Sequence, residues 1–279
     1  MSYSVCLPAK KSMKNHLFPI LISISVAVFF NSCSSSNDDT NLEPEKKLLL
    51  SKFTTTYYDN PSQPETIEQT FEYNSKGELI KSLHKGLVTT FEYFNGKPTK
   101  ATFFNNKQEP SYSSVFYYNQ GGQLDKIKAT YANSSSRTTN YTYNSNDQLI
   151  NITNCFSENC NNPGTISYTY DGENISTEIT STPGTVSSTY KEEYTSDSKL
   201  NPYTNTNKYL RIMMGRADIL SKNNYTKDKS STKISNSWEA GETTTFTLQY
   251  NNAGFPVQAT GIGSDGKLSV QYHYEYITQ

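Results

Sequence analysis

The sequence predicts an all-β protein, an antiparallel β-meander of about a dozen strands that curls into an open or closed barrel-like sheet. The first observation behind this fold class is composition. The 279 residues include 22 Tyr and 13 Phe but only 4 Met and 1 Trp. Aromatic and β-branched side chains suit the pleated surface of a strand. A chain poor in Ala and Leu and rich in Thr, Ser and Asn is a weak helix former.

The second observation is alternation. An aromatic residue or Leu recurs two positions before a Tyr, and a spacing of two places both side chains on one face of a strand. The residue between them is mostly polar, which predicts a sheet with one packed face and one wet face. The pairs are Phe71/Tyr73, Phe91/Tyr93, Phe116/Tyr118, Tyr141/Tyr143, Tyr168/Tyr170 and Leu248/Tyr250.

The third observation is a recurring turn. The phrase YNSKGEL at residues 73–79 returns as YNQGGQL at 118–124 and YNSNDQL at 143–149. Asn, Asp and Gly tolerate the positive φ values that tight hairpins require. Each phrase therefore predicts the corner of a β-hairpin, and the near-regular spacing of the corners indicates a repeated supersecondary unit.

The start of the chain predicts export. Lys10, Lys11 and Lys14 precede an apolar run at residues 17–30, which is too short to span a bilayer and fits a signal peptide at residues 1–32. Met13 is an alternative start. Cys33 follows a small residue at the end of this run, which resembles the lipobox of bacterial lipoproteins and implies an acylated Cys33. Residues 33–47 read as a flexible tether, and residues 48–279 form the repeat-built β-meander domain.

The repeats resemble the tyrosine–aspartate repeats of RHS-type bacterial surface proteins, with Tyr170 and Asp171 closest to that pattern. The lipobox, the tether and the degenerate repeats together are similar to an uncharacterised Bacteroidetes lipoprotein family with a porin-like β-meander, which is described by its fold and not by an activity. The acidic stretch after Cys33 resembles lipoproteins exported to the cell surface. The resemblance implies a lipid-anchored protein of the outer membrane that faces the cell surface, with the periplasmic face as the alternative.

Residues 201–224 interrupt the hairpin rhythm with a cluster of bulky apolar residues. One interpretation is an interrupting loop or short helix that plugs one end of the sheet, since apolar clusters usually pack in a core. The other is a binding loop that presents Tyr209, Met213, Met214 and Arg216, because long connections often carry function.

Cys155 and Cys160 enclose four residues at a further corner. Outside the cytoplasm two such neighbouring cysteines predict a disulfide. The spacing is wider than a redox C-x-x-C motif, and no further Cys or His supplies a zinc set. We therefore expect a stapled hairpin loop.

Neither catalysis nor a metal site is expected. His84 and His273 are the only histidines after the signal peptide, and neither is spaced as a metal ligand. No G-x-S-x-G elbow occurs. Glu192 and Glu193 are adjacent, so a strand points them to opposite faces and they make a poor glycosidase pair. We expect no cofactor, and a net charge of −1 excludes a basic surface for nucleic acid.

These observations predict a lipid-anchored cell-envelope protein with a structural or binding role and no enzymatic activity. Its expected partners are the membrane, through the lipid anchor, and a glycan or another envelope protein. The alternatives are a glycan-binding accessory lipoprotein of a sugar-uptake system and a divergent envelope enzyme. A membrane-spanning barrel is disfavoured, because Tyr prefers the membrane interface and an acyl anchor is redundant for such a barrel.

Overall fold

The computed structural model describes residues 46–184 and 188–279, which form a closed antiparallel barrel. Each strand pairs with the next along the chain, and β1 closes the sheet against β16 from Leu48↔Thr278 to Tyr57↔Val270. The strands are β1 Leu48–Tyr57, β2 Glu65–Tyr73, β3 Leu79–His84, β4 Leu87–Phe94, β5 Lys97–Phe104, β6 Pro110–Tyr118, β7 Leu124–Tyr131, β8 Ser136–Tyr143, β9 Leu149–Cys155, β10 Gly164–Asp171, β11 Asn174–Thr182, β12 Ser188–Leu200, β13 Asn223–Ile234, β14 Ser237–Tyr250, β15 Pro256–Gly263 and β16 Leu268–Thr278.

The predicted fold class is confirmed, and the barrel is closed. The strand count is sixteen within the described residues, where the hairpin pattern predicted about a dozen. The difference has a simple origin. The Tyr corners join β2–β3, β4–β5, β6–β7, β8–β9, β10–β11 and β14–β15, which accounts for twelve strands. The Tyr corners all lie at one end of the barrel. The other four strands, β1, β12, β13 and β16, have no Tyr corner at that end.

The corner phrase builds its turn from a single Asn side chain. The Oδ1 atom of Asn74 accepts hydrogen bonds from the backbone N–H groups of Lys76 (2.9 Å) and Glu78 (3.0 Å). Gly77 occupies the position with positive φ (+74°), a conformation that Gly adopts without steric cost. Asn119, Asn144 and Asn251 bond their own turns in the same way. The short polar side chain replaces backbone partners that the turn cannot supply.

The corner tyrosines fasten the strands at this end of the barrel. A register shift lies immediately before Tyr73, Tyr93, Tyr118, Tyr143, Tyr170 and Tyr250. Five of these phenols then donate to a carbonyl oxygen on the preceding strand, and Tyr276 of β16 does the same. The bonds run from Tyr73 to Leu50, Tyr93 to Leu79, Tyr118 to Pro98, Tyr143 to Leu124, Tyr170 to Leu149 and Tyr276 to Pro256, at 2.6–2.9 Å. The repeat is therefore a structural device.

The two faces of the barrel differ sharply. The inner face carries the aromatic alternation, and its buried residues include Phe71, Phe91, Phe116, Tyr141 and Tyr168. The outer face carries charged and polar residues along the strands, with single exposed apolar residues such as Leu83, Val115 and Tyr117 among them. Its ion pairs join neighbouring strands, as in Lys52–Glu68 (2.7 Å), Lys81–Glu72 (2.8 Å) and Lys100–Glu92 (3.4 Å).

Residues 201–222, called the plug below, connect β12 to β13 and lie inside the barrel at the end of the Tyr corners. The plug contains α1 (Lys208–Met214) and α2 (Ala217–Leu220). Its buried residues include Tyr203, Leu210 and Ile219, which pack in the main core of the barrel. The start of β1 and the end of β16 lie at this same end, because Leu48 pairs with Thr278 beside the plug.

The plug is bonded to the rim of the barrel on several sides. Asn205 Nδ2 donates to the Leu48 carbonyl (2.8 Å), and Asn207 Nδ2 donates to the Gly96 carbonyl (2.9 Å). The Tyr168 phenol donates to the Gly215 carbonyl (2.5 Å). Polar bonds to widely separated strands fix the plug in one position, as the packing interpretation of this segment requires.

The predicted signal peptide (1–32), the lipidation site Cys33 and nearly all of the tether (33–47) lie outside the described residues. Within the described ranges, no helix has the length and apolarity needed to cross a membrane.

Candidate functional site

A cavity of about 460 Å³ occupies the barrel interior beside the plug. Its floor is formed by two stretches of the plug, residues 201–203 and 216–218. Its walls come from the inward-facing side chains of β1, β11–β16. Cavities of this size accommodate small molecules.

Aromatic rings form much of the cavity wall. Tyr194 of β12 and Tyr225 of β13 are stacked with their ring centroids 4.2 Å apart. On the opposite side Phe53 lies 5.1 Å from Tyr274, and Phe246 lies 5.9 Å from Tyr272. Stacked and offset rings of this kind are rigid apolar surfaces with electron-rich faces.

The cavity lining is also acidic. Five carboxylates line it against one cationic side chain, that of Arg216. Arg216 already has an acidic partner, because its Nε and Nη2 atoms contact the Asp218 carboxylate at 2.9 and 2.5 Å. This pairing raises the pKa of Arg216. The other four carboxylates are Glu178, Glu192, Asp228 and Glu242, and none of them forms an ion pair with another described residue.

Glu192 has the most perturbed environment of these acids. It lies directly opposite Glu178 in the β11–β12 pairing. Burial raises its pKa to about 7, and the negative charges of Asp228 and Glu178 act in the same direction. Among the described residues no hydrogen bond or ion pair compensates this carboxylate. It is a half-buried carboxyl group that faces the cavity and has no ion-pair partner among the described residues.

Glu178 and Asp228 are better satisfied. Glu178 accepts from the Ala217 amide and from Thr180 Oγ1 (3.4 Å), although burial still raises its pKa. Asp228 accepts from the Thr244 amide (3.2 Å), and burial likewise raises its pKa. These bonds hold both carboxylates in place against the lumen.

The four residues predicted for a binding loop do not lie together. Tyr209 is buried, its phenol donates to the Gly122 carbonyl (2.7 Å), and its ring packs edge-on against Tyr118. Met213 and Met214 pack against the core. Arg216 alone lines the cavity. The structure thus brings one member of the predicted set to this cavity, and Tyr209 lines two other cavities, of about 440 and 430 Å³.

Sequence reasoning missed the acidic members of the site. Glu192 was considered only with its neighbour Glu193, although Glu192 and Tyr194 share a face of β12 and alternate with outward-facing residues. That alternation in the sequence indicates that Glu192 lies on the same face as Tyr194. No sequence pattern predicts that Glu192 lies opposite Glu178, because this pairing depends on the register between two strands.

Cys155 and Cys160 lie where β9 ends, at the end of the barrel opposite the plug. Their Cα atoms are 4.5 Å apart and their sulfur atoms are within bonding distance, a separation that a disulfide requires. The pair is remote from the lining of the cavity. A disulfide between these two cysteines would constrain only the loop between β9 and β10.

The described residues hold no group of three or more His, Cys, Asp or Glu side chains placed to bind a metal ion.

No protein-family model matches the sequence, and neither does any curated protein. Among solved structures the chain is similar to a porin-like protein from Bacteroides uniformis ATCC 8492, with 17% identity and a TM-score of 0.51 over 82% of this chain and 98% of that one. It is also similar to a porin-like protein from Bacteroides vulgatus ATCC 8482, with 12% identity and a TM-score of 0.42 over 83% and 99% of the two chains. At 17% identity the likeness to the Bacteroides uniformis protein shows a shared β-barrel fold and nothing about activity.

Proposed function

We propose that this chain is a lipid-anchored protein of the outer membrane, exposed at the cell surface, whose barrel is a non-catalytic binding module. The observation that carries the proposal is the polarity of the two faces. The inner face of the barrel is aromatic and acidic, and the outer face is charged. The strands therefore enclose a pocket on the inside and face water on the outside.

The charged exterior argues against strands that cross a bilayer. A membrane-spanning barrel needs an apolar outer band about 25 Å tall, and a Lys at the bilayer midplane costs about 2–4 kcal/mol. Lys52, Lys81 and Lys100 instead form ion pairs on successive parts of the outer face. Attachment to the membrane then depends on the acyl chains proposed at Cys33, which anchor a protein without requiring an apolar barrel.

The position of the termini supports a binding role. The chain enters the barrel at Leu48, at the end that the plug closes. The cavity is lined by plug residues 201–203 and 216–218 and by strand side chains inside the barrel. An anchored barrel of this kind can present its cavity to ligands in the surrounding medium.

The test replaces residues 1–33 by a secretory signal that lacks a lipidated cysteine, and compares the location of this chain with that of the native chain. We expect the native chain in the outer-membrane fraction and the replaced chain in the soluble periplasmic fraction. Recovery of the replaced chain in the membrane fraction after a carbonate wash would show that the barrel itself inserts, and the proposal would then be wrong.

A further inference from the structure

We propose that the lumenal cavity binds a small organic cation, a protonated amine or a quaternary ammonium group, with Glu192 as its counter-ion. This inference rests on the proposed binding function and specifies the ligand class of the same cavity. It follows from the charge of the lining, from its aromatic walls and from the position of Glu192.

The charge of the lining is the first argument. The Arg216–Asp218 pair is internally neutral, which leaves the carboxylates of Glu178, Glu192, Asp228 and the solvent-exposed Glu242 without an ion-pair partner among the described residues. Opposite charges attract more strongly in a partly desolvated cavity than in water. A cation in the cavity is attracted by these carboxylates and reduces the repulsion between them. A neutral ligand does not reduce this repulsion.

The aromatic walls favour an organic cation. Ring faces attract ammonium groups within about 6 Å of the ring centroid, and aromatic cages of this kind recognise quaternary ammonium ligands. Tyr194 lies two residues from Glu192 on β12, is paired with Asp228 of β13 and stacks on Tyr225, and Tyr272 and Phe246 form a second pair of rings. Carboxylates and rings therefore occur on the same lumenal surface.

Two other ligand classes fit less well. A metal ion needs several convergent ligands, and the described residues contain no such group. A sugar can stack on Tyr rings and bond to carboxylates, but it brings no charge to offset four unpaired acids. A cavity of about 460 Å³ has room for either a small organic cation or a sugar. The charge of the lining therefore favours the cation.

Glu192 links binding to pH. Burial raises the pKa of its carboxyl group to about 7, so the ionised fraction increases as pH rises through neutrality, and a cation with a permanent charge binds the ionised form preferentially. Binding must then strengthen as pH rises. The charged groups that line the cavity with Glu192 are Glu178 on β11, Asp228 on β13, Glu242 on β14, and Arg216 with Asp218 on the plug, and Asp228 and Glu178 act on its pKa.

Isothermal titration of the mature chain, residues 33–279, with choline chloride tests the proposal. The control ligand is 3,3-dimethyl-1-butanol, which has the shape of choline without the charge. We expect choline to bind and the neutral alcohol to bind at least about tenfold more weakly. Between pH 8.5 and pH 5.5 the choline affinity should fall by about 30-fold, as the ionised fraction of one carboxylate with a pKa of about 7 falls.

Two isosteric variants localise the effect. Glu192→Gln should lower choline affinity at pH 8.5 by at least about tenfold and flatten the pH profile. Glu193→Gln is the matched control, because Glu193 is the next residue on the outer face, where it pairs with Lys191 (3.0 Å). It should leave both affinity and pH dependence unchanged. Thermal melts of both variants establish that the barrel is intact.

Three outcomes would overturn the proposal. These are equal binding of choline and the neutral alcohol, no measurable choline binding at pH 8.5, and tighter binding of glucose or N-acetylglucosamine than of choline. None of these outcomes bears on membrane attachment, so failure here is distinguishable from failure of the proposed anchored function, which is tested by fractionation.

Discussion

Replacing Tyr118 by Phe tests whether the corner tyrosines stabilise the barrel through their hydroxyl groups. The Tyr118 phenol donates a 2.6 Å hydrogen bond to the Pro98 carbonyl, across the β5–β6 pairing. Burial raises the pKa of Tyr118 well above its ordinary value, so the hydroxyl stays protonated and remains a donor at every physiological pH. Phe keeps the ring and removes only this bond.

The magnitude follows from the cost of a lost internal hydrogen bond. Such a bond contributes about 0.5–1.5 kcal/mol, and an acceptor left without its donor adds to the loss. We therefore expect Tyr118→Phe to lower the free energy of unfolding by about 1–2 kcal/mol, measured by urea denaturation. For a domain of this size the corresponding fall in Tm is about 2–8 °C.

Tyr117 provides the matched control for this substitution. It is the preceding residue, it faces outward with 41% of its surface exposed, and its ring lies beside Lys126. Tyr117→Phe should change stability by less than about 0.5 kcal/mol. Equal destabilisation by the two substitutions would refute the role given to the corner hydroxyls.

Three further predictions concern the plug, the paired cysteines and the lumen. Gly215→Ala should destabilise the barrel by about 1 kcal/mol or more in urea, because Gly215 has a φ of +60° that L-residues adopt at a cost; an unchanged midpoint contradicts this. Cys155 and Cys160 should resist thiol labelling until the protein is reduced, and labelling of the unreduced protein refutes the staple. Stability should fall as pH rises from 5 to 7.5, because a folded-state pKa of about 7 means that the native state holds the proton of Glu192 more tightly than the unfolded chain does; Glu192→Gln should reduce this dependence.

The corners could be predicted from sequence because their chemistry is local. Asn74 bonds residues two and four positions ahead, and Gly77 supplies the positive φ within the same turn. The alternation of Phe71 with Tyr73 likewise reports which face is packed, without knowledge of any other strand. Turn motifs and strand alternation extend over about ten residues or fewer, so a single sequence is enough to detect them.

Closure of the barrel has no such local signal. The β1–β16 pairing joins residues more than two hundred positions apart, from Leu48↔Thr278 onward. An alternating strand is equally suited to an open sheet, so the sequence left both forms possible. The plug was foreseen as a break in the pattern, but the side of the sheet on which it lies depends on this closure.

The acidic site could not be assembled from sequence because register shifts change which residues face inward. Tyr225 and Asp228 are three positions apart, a spacing that puts side chains on opposite faces of a regular strand. Thr195 and Ser196 of β12 pair with Lys227 and Tyr225, so Thr226 is an extra residue in β13, and Tyr225 and Asp228 both reach the lumen. Such shifts are fixed by pairing along the whole strand, and no short motif announces them.

The central claim is that this barrel faces water on its outside and holds its binding surface within. Sedimentation velocity of residues 34–279, without a lipid and in buffer free of detergent, tests it most directly. The account predicts one compact soluble species whose sedimentation is unchanged when detergent micelles are added. Aggregation in buffer, with recovery of a single species only in micelles, would contradict it.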